Sequence, residues 1–528
     1  MKTARIFVAF VACVLALQIG VAQADTGIAW RHASSGADVD AAFAEARAEA
    51  KPVFLYWGAA WCPPCNQVKA TIFNRQDFIE RSRAFVAVYV DGDSPGAQKL
   101  GARFHVSGYP TMLLFNAAGA ELTRLPGEVD PARYTEVVTL GMNARRPVKE
   151  VLADALAGGK KLGADDWRLL AFYSWGTDEQ QLVPRRELPA LLQRLAAACP
   201  AAQAETALRL RLEALAARDE TQAAPHDPAA VARIVALLAD AQAARAQFDV
   251  LANSPVEITR ALTARGSAAR ARLVGAFDRA LARFEADASL SRADRIGALI
   301  ARVDLAKIDL PKARRSGAHV DAASRLPIAP ALLADVREQA ARADREITDG
   351  YERQAVITAA AYLLGDAGLL DESDALLRSN LAKSHSPYYL MSELAGNALQ
   401  RGDAAAALRW HRQAWEQSVG PATRLQWGAR YVAALVDLAP HDAAGVERAA
   451  SKVLAEAAAE PNMFYERSGT SLRRIGNKLR EWNRGNAHGA AWRRIDAQFA
   501  GICARLDPAD EQRATCNALR AAAPKPPA

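Results

Sequence analysis

Two cysteines three positions apart, placed just beyond a continuous apolar run, constrain this chain more than any other feature. Val53-Phe54-Leu55-Tyr56-Trp57 is followed by Gly58-Ala59-Ala60 and then by Trp61-Cys62-Pro63-Pro64-Cys65. An unbroken apolar run with polar or Gly boundaries predicts a central strand covered on both faces, and the residues after Cys62 predict a helix. The handover from strand to helix falls at Cys62. There, unpaired backbone N–H groups and the positive end of the helix dipole stabilise a thiolate, so the thiol should ionise more readily than free cysteine. Cys62 is the expected nucleophile and Cys65, one helical turn deeper, the expected resolving thiol. Pro63 and Pro64 open the active-site helix, where the N–H that Pro63 lacks has no partner in any case.

Other chemistries fit the pair less well. Attachment of a c-type haem needs His directly after the second cysteine, and Asn66 stands there. Structural zinc needs about four ligands, whereas Cys199, Cys503 and Cys516 lie far off and singly. An inert disulfide of so small a ring constrains the unfolded chain little. Redox exchange remains, and it needs no metal and no organic cofactor.

The amino terminus reads as a secretory signal. Lys2 and Arg5 precede an apolar segment from Ile6 to Val21, and Ala22-Gln23-Ala24 offers a small-residue cleavage site. Cleavage after residue 24 places the mature chain in the periplasm or an equivalent space outside the cytoplasm. The formal charge of +7, or +5 without Lys2 and Arg5, is spread among interspersed acids, which together with export argues against a nucleic-acid partner. Arg-rich stretches such as Arg265 to Arg283 read as solvated helix faces.

From Asp38, a candidate N-cap, the pattern runs helix, strand Val53 to Trp57, helix, strand Phe85 to Val90, and a short helix over Gln98 to Phe104. Gly108-Tyr109-Pro110-Thr111 then leads into Met112-Leu113-Leu114-Phe115, a turn, a paired strand Glu121 to Leu125, and a helix from Pro131 to about Gly141. Over residues 35 to 143 the sequence resembles the thioredoxin family. The resemblance rests on the Trp-Cys-Pro-Pro-Cys segment after a buried strand, on Gly108-Tyr109-Pro110-Thr111, and on the element order. Within the family it is similar to periplasmic thioredoxin-like domains such as the carboxy-terminal domain of the disulfide reductase DsbD, where a segment like Thr71-Ile72-Phe73 also follows the active-site helix. The resemblance implies that Pro110 is a cis-proline lying against the cysteines, and that Trp61, Tyr109 and Pro110 form the substrate-binding surface. It also marks two departures. Tyr56 replaces a buried acid that helps deprotonate the resolving thiol, leaving Asp91 or water to serve, and Asn66 replaces a lysine.

The expected architecture is an α/β thioredoxin fold followed by a large all-α region. The units are a signal at 1–24, a thioredoxin-like domain at 25–145, a helical region at 146–520 with subdomains near 150–310 and 320–520, and a disordered tail at 521–528. Arg145-Arg146-Pro147 marks the boundary between domains. Gly158-Gly159-Lys160-Lys161 is no phosphate loop, since it lacks both the following Ser or Thr and a preceding strand. Gly368 and Gly402 lie 34 residues apart, the period of tetratricopeptide helix pairs, and an irregular bundle fits the same pattern. The Trp residues at 410, 415, 427, 482 and 492 read as core. Cys503 and Cys516 flank the turn Asp507-Pro508 and are candidates for a structural disulfide, although Cys516 lies deeper in its helix than Cys503 does. Cys199 has no evident partner.

The functional expectation is an exported thiol-disulfide oxidoreductase that acts on protein thiols and disulfides. Reductase or isomerase work is favoured, with a membrane electron donor and a protein partner on the helical region. The competing expectation is a non-catalytic helical binding or chaperone-like factor carrying a thioredoxin-like recognition or redox-sensing module.

Overall fold

A computed structural model describes residues 27–127, 130–179, 181–218, 227–310 and 326–520. The expected signal at 1–24 and the tail at 521–528 lie outside the described residues.

Five strands form one mixed sheet in the order β1-β3-β2-β4-β5. They are β1 (Arg31–His32), β2 (Val53–Gly58), β3 (Val86–Asp91), β4 (Thr111–Phe115) and β5 (Glu121–Leu125). β3 pairs in parallel with both β1 and β2, while β4 pairs antiparallel with β2 and β5. The continuous apolar run of β2 follows from cover on both faces. Val53, Leu55 and Trp57 point to one side, toward helices α1 (Gly36–Ala48) and α4 (Ala97–Phe104). Phe54 and Tyr56 point to the other, where α2 (Pro63–Val68), a π-helical continuation (Lys69–Phe73), α3 (Gln76–Ser82) and α5 (Pro131–Met142) supply Val68, Ile72, Phe73, Phe78 and Tyr134. The N-cap of α1 is Ser35, not the expected Asp38. The Ser35 hydroxyl accepts from the Asp38 N–H, and the Asp38 carboxylate instead accepts from the Ser34 N–H. Both residue types cap well, and it is Ser35 that takes the extended N-cap backbone, with φ −146° and ψ 167°.

Among the described residues every strand lies before Met142, and the chain after it is helical. The predicted break at Arg145-Arg146-Pro147 separates α5 from the next helix, Val148–Leu156, yet the apolar core does not stop there. Val151, Leu152, Trp167 and Leu170 belong to the same cluster as Phe54 and Met112. Buried Arg124 of β5 reinforces the junction by donating to the carbonyls of Phe104, His105 and Thr177. Gly368 and Gly402 both take positive φ, each between two successive helices, Gly350–Asp366 and Leu370–Asn380 in the first case and Pro387–Gln400 and Ala404–Gln417 in the second.

Two charge and aromatic expectations change. Within Arg265 to Arg283, Arg270 is buried and bonds to Thr263 and Asp309, so that stretch is not wholly a solvated face. Trp415, Trp427 and Trp482 are core, but Trp410 and Trp492 are only half-buried. Cys503 and Cys516 form a disulfide with Cα atoms 5.5 Å apart, closing a loop between the last two helices. A loop of this size stabilises by about 3 kcal/mol in the chain-entropy account. Cys199 is buried and unpaired.

Candidate functional site

Cys62 is the N-cap of α2, at the carboxyl end of β2, and is joined to Cys65 in a disulfide with Cα atoms 5.2 Å apart. Its Sγ accepts from the Cys65 N–H at 3.2 Å. Pro63 and Pro64 carry no N–H, so the Cys65 N–H is the first-turn donor aimed at the Cys62 sulfur, where it and the positive end of the helix would favour a thiolate. The Tyr109–Pro110 peptide is cis, and the Tyr109 carbonyl lies 3.6 Å from Cys62 Sγ. The structure thus brings together Trp61, Cys62, Pro63, Pro64, Cys65, Tyr109 and Pro110. Cys503 and Cys516 pair elsewhere, between the last two helices of the chain. Among the described residues no group of His, Cys, Asp or Glu side chains is arranged to hold a metal ion.

Asn66, noted in the sequence only as a departure, has a structural task. Fully buried, it donates from Nδ2 to the carbonyls of Ala60 and Cys62, both at 2.8 Å, and so clamps the turn that carries Cys62. Tyr56, on β2 six residues before Cys62, has its hydroxyl buried without a hydrogen-bond partner, and burial pushes its phenol well above the ordinary range. Such a group holds its proton and offers no base near neutrality. Asp91, opposite Gly58 on the neighbouring strand, accepts from Tyr89 Oη at 3.3 Å and from the Asp93 N–H at 2.9 Å.

The helical region covers this site. Cys62 is 2% exposed and Cys65 0%. Trp61 donates from Nε1 to Thr423 Oγ1 at 2.6 Å, its ring 6.3 Å from Trp427 and 6.0 Å from Tyr389. Asp93 accepts from the Thr423 N–H at 2.8 Å and from the Thr423 hydroxyl, and so caps the first turn of the Pro421–Leu438 helix from outside that helix. Gly420 has φ +93°, and a Cβ there would run into the Asp93 carboxylate. His385 Nε2 is 3.0 Å from the Ala60 carbonyl, and the Ser468 N–H donates to Gln98 at 3.1 Å. The Arg467 guanidinium sits 5.1 Å from the centres of both the Trp61 and Tyr109 rings, a cation–π sandwich beside Cys62. Sequence reasoning found none of Asp93, His385, Thr423 and Arg467. Each lacks a local motif, and the partners lie hundreds of residues away.

Burial pushes the Asp93 carboxyl up to about 6, assisted by Asp91 and opposed by its bonds from Thr423. A carboxyl raised in the folded state above its unfolded value contributes stability in full below the unfolded value of 3.8 and loses it as pH rises through about 6. The full swing is on the order of 3 kcal/mol. Asp93→Asn should therefore gain stability over the parent at pH 7.5 and much less at pH 4.5, read from urea midpoints. A difference that does not vary with pH would show that Asp93 is not held this way.

A disulfide at the start of a helix, set against a cis X–Pro peptide on a five-stranded mixed sheet, defines a thioredoxin-like unit, and residues 39–140 match the family model described as a thioredoxin-like domain. Over 111 residues the chain is 32% identical to the thiol:disulfide interchange protein DsbD 1 of Pseudomonas aeruginosa, covering 20% of this chain and 19% of that protein. It is 33% identical over 112 residues to DsbD of Klebsiella pneumoniae, covering 20% and 18% respectively. The chain thus spans about a fifth of the length of the curated relatives it matches, and the long helical region lies outside the residues that the family model covers.

Proposed function

We propose that the protein is an exported thiol-disulfide oxidoreductase that exchanges disulfides with protein substrates, working as a reductase or isomerase. The observation that carries this reading is the Cys62–Cys65 disulfide at the start of α2 with the Tyr109 carbonyl beside it. In the reducing direction the Cys62 thiolate attacks a substrate disulfide and expels one substrate thiolate, which takes up a proton. Cys65 then attacks the Cys62 sulfur of the mixed disulfide and releases the second substrate thiol, so two electrons pass to the substrate and the pair closes. Trp61, Tyr109 and Pro110 form the surface on which the substrate segment lies. Tyr56 cannot take the Cys65 proton, so Asp91 or water does.

A donor outside the cytoplasm must be reloaded, and a membrane-bound electron donor fits that need. In this reading the 25–145 unit carries the chemistry and the 146–520 region selects the partner, whose binding raises the effective concentration of the tethered site. Cover over Cys62 favours a second reading, a partner-binding factor in which the pair only senses redox state. The test is the equilibrium potential of the pair against glutathione together with its state in periplasmic extracts. A potential near that of thioredoxin and a mostly reduced pair support donation. A potential near that of DsbA with the pair fully oxidised reverses the direction, and a pair that never cycles supports the sensing module.

A further inference from the structure

We propose that the helical region is a built-in occupant of the partner-docking face, so that exchange with a protein requires the Pro387–Gln400, Pro421–Leu438 and Glu466–Trp482 helices to leave the redox pair. The inference rests on the oxidoreductase reading and concerns how that site is reached.

Exchange demands space. An incoming sulfur must approach Cys62 roughly in line with the bond that breaks, and the chain carrying it must lie along Trp61 and Tyr109. In the structure those positions are filled. Cys62 shares one apolar cluster with Tyr388, Met391 and Trp427 of the helical region, and Trp61 is 7% exposed beneath Trp427 and Tyr389. No protein segment can reach the sulfur while these contacts hold.

The cover is also built to separate. Its contacts are polar as well as apolar, namely Trp61 and Asp93 to Thr423, Gln98 to Ser468, and Ala60 to His385. Each such bond is exchanged for one to water on opening, so its net worth is only about 0.5–1.5 kcal/mol. Two half-buried ionisable groups, Arg467 and Asp93, lie in this interface. Burial lowers the Arg467 guanidinium below its ordinary range and raises the Asp93 carboxyl, a desolvation that opening relieves while giving up the Thr423 bonds to Asp93. Mixed interfaces of this sort between units of one chain are the kind that move. Opening bares Tyr388, Tyr389 and Trp427 opposite Trp61, two aromatic faces suited to an apolar segment of an unfolded or partly folded protein. Such a segment competes with the cover, and the apparent affinity falls in proportion to the open fraction.

The test uses the full chain with the pair oxidised, comparing reduction by dithiothreitol with reduction by a protein dithiol, reduced thioredoxin. The product is followed by alkylation and mass analysis of Cys62 and Cys65. In the second reaction the thioredoxin thiolate attacks Cys62, the Cys62–Cys65 bond breaks, and Cys65 leaves and is protonated. The second thioredoxin thiol then attacks the thioredoxin sulfur of the mixed disulfide, frees Cys62 and leaves thioredoxin oxidised. Thr423→Val combined with His385→Ala should raise the ratio of protein to dithiothreitol rates by about tenfold, because the rate with a bulky reductant follows the open population. In a second arm, Asp93→Cys and Thr423→Cys joined by a thioether cross-linker should lose reduction by thioredoxin. An unchanged ratio, or a cross-linked chain that thioredoxin reduces at the parent rate, overturns the cover and leaves the oxidoreductase reading intact. A pair that neither reductant reduces in any variant overturns that reading, and the cover with it.

Discussion

Cys62→Ser should bring disulfide exchange with protein substrates down to the uncatalysed background, while Cys65→Ala keeps the first step and accumulates mixed disulfides. The two sulfurs are unequal by position. Cys62 caps α2 and receives the Cys65 N–H, whereas Cys65 lies a turn inside the helix and is wholly buried. A serine hydroxyl at the first position is not ionised near neutrality and cannot form a disulfide, so no compensating route exists. In the proposed cycle, removing Cys65 takes away only the group that would resolve the intermediate. Insulin reduction measures the first effect, and non-reducing gels of the native compartment measure the second. Equal and partial loss in both variants would mean that the pair acts as an inert link.

Trp427→Ala should cost about 3–5 kcal/mol of stability, the range for losing a buried aromatic side chain. The ring is 1% exposed and packs against Trp61, Tyr388 and Tyr389, with Arg430 4.5 Å above its face. Tyr388 and Tyr389 wall the ring from within the helical region itself, so that side of the cavity remains whether or not the Trp61 side opens. Urea unfolding of the full chain checks this, and Trp427→Phe should recover much of the loss. A cost below about 1 kcal/mol would place Trp427 outside the core that joins the two units.

What the sequence discloses here depends on how local the cause is. β2 and β4 are legible because an unbroken apolar run reports cover within a few residues, and the helix start at Cys62 is legible because Pro63 and Pro64 punctuate it. β1 escapes notice, being two residues, Arg31 and His32, whose pairing with β3 is decided by tertiary contact. Arg270 reads as solvated because a charge pattern carries no record of Asp309 39 positions away. Asn66 had a usable signal, since a carboxamide four residues after Cys62 can reach back to its carbonyl. The cover had none: Trp427 reads as core in the sequence, and it is core, but nothing near it states that the other wall is Trp61. Arg145-Arg146-Pro147, expected as a domain boundary, falls between two helices while one apolar cluster runs across it, because composition reports chain flexibility and not which apolar faces later meet.

The bond from Trp61 to Thr423 spans 362 positions of chain. At about 5–20 residues per second of synthesis, the sheet-bearing unit, complete once Met142 is made, precedes Thr423 by roughly 15 to 55 seconds. The cysteines are therefore made well before the residues that enclose them, and wherever the sheet-bearing unit folds first, the thiols or oxidants around it set the state in which the pair is shut in.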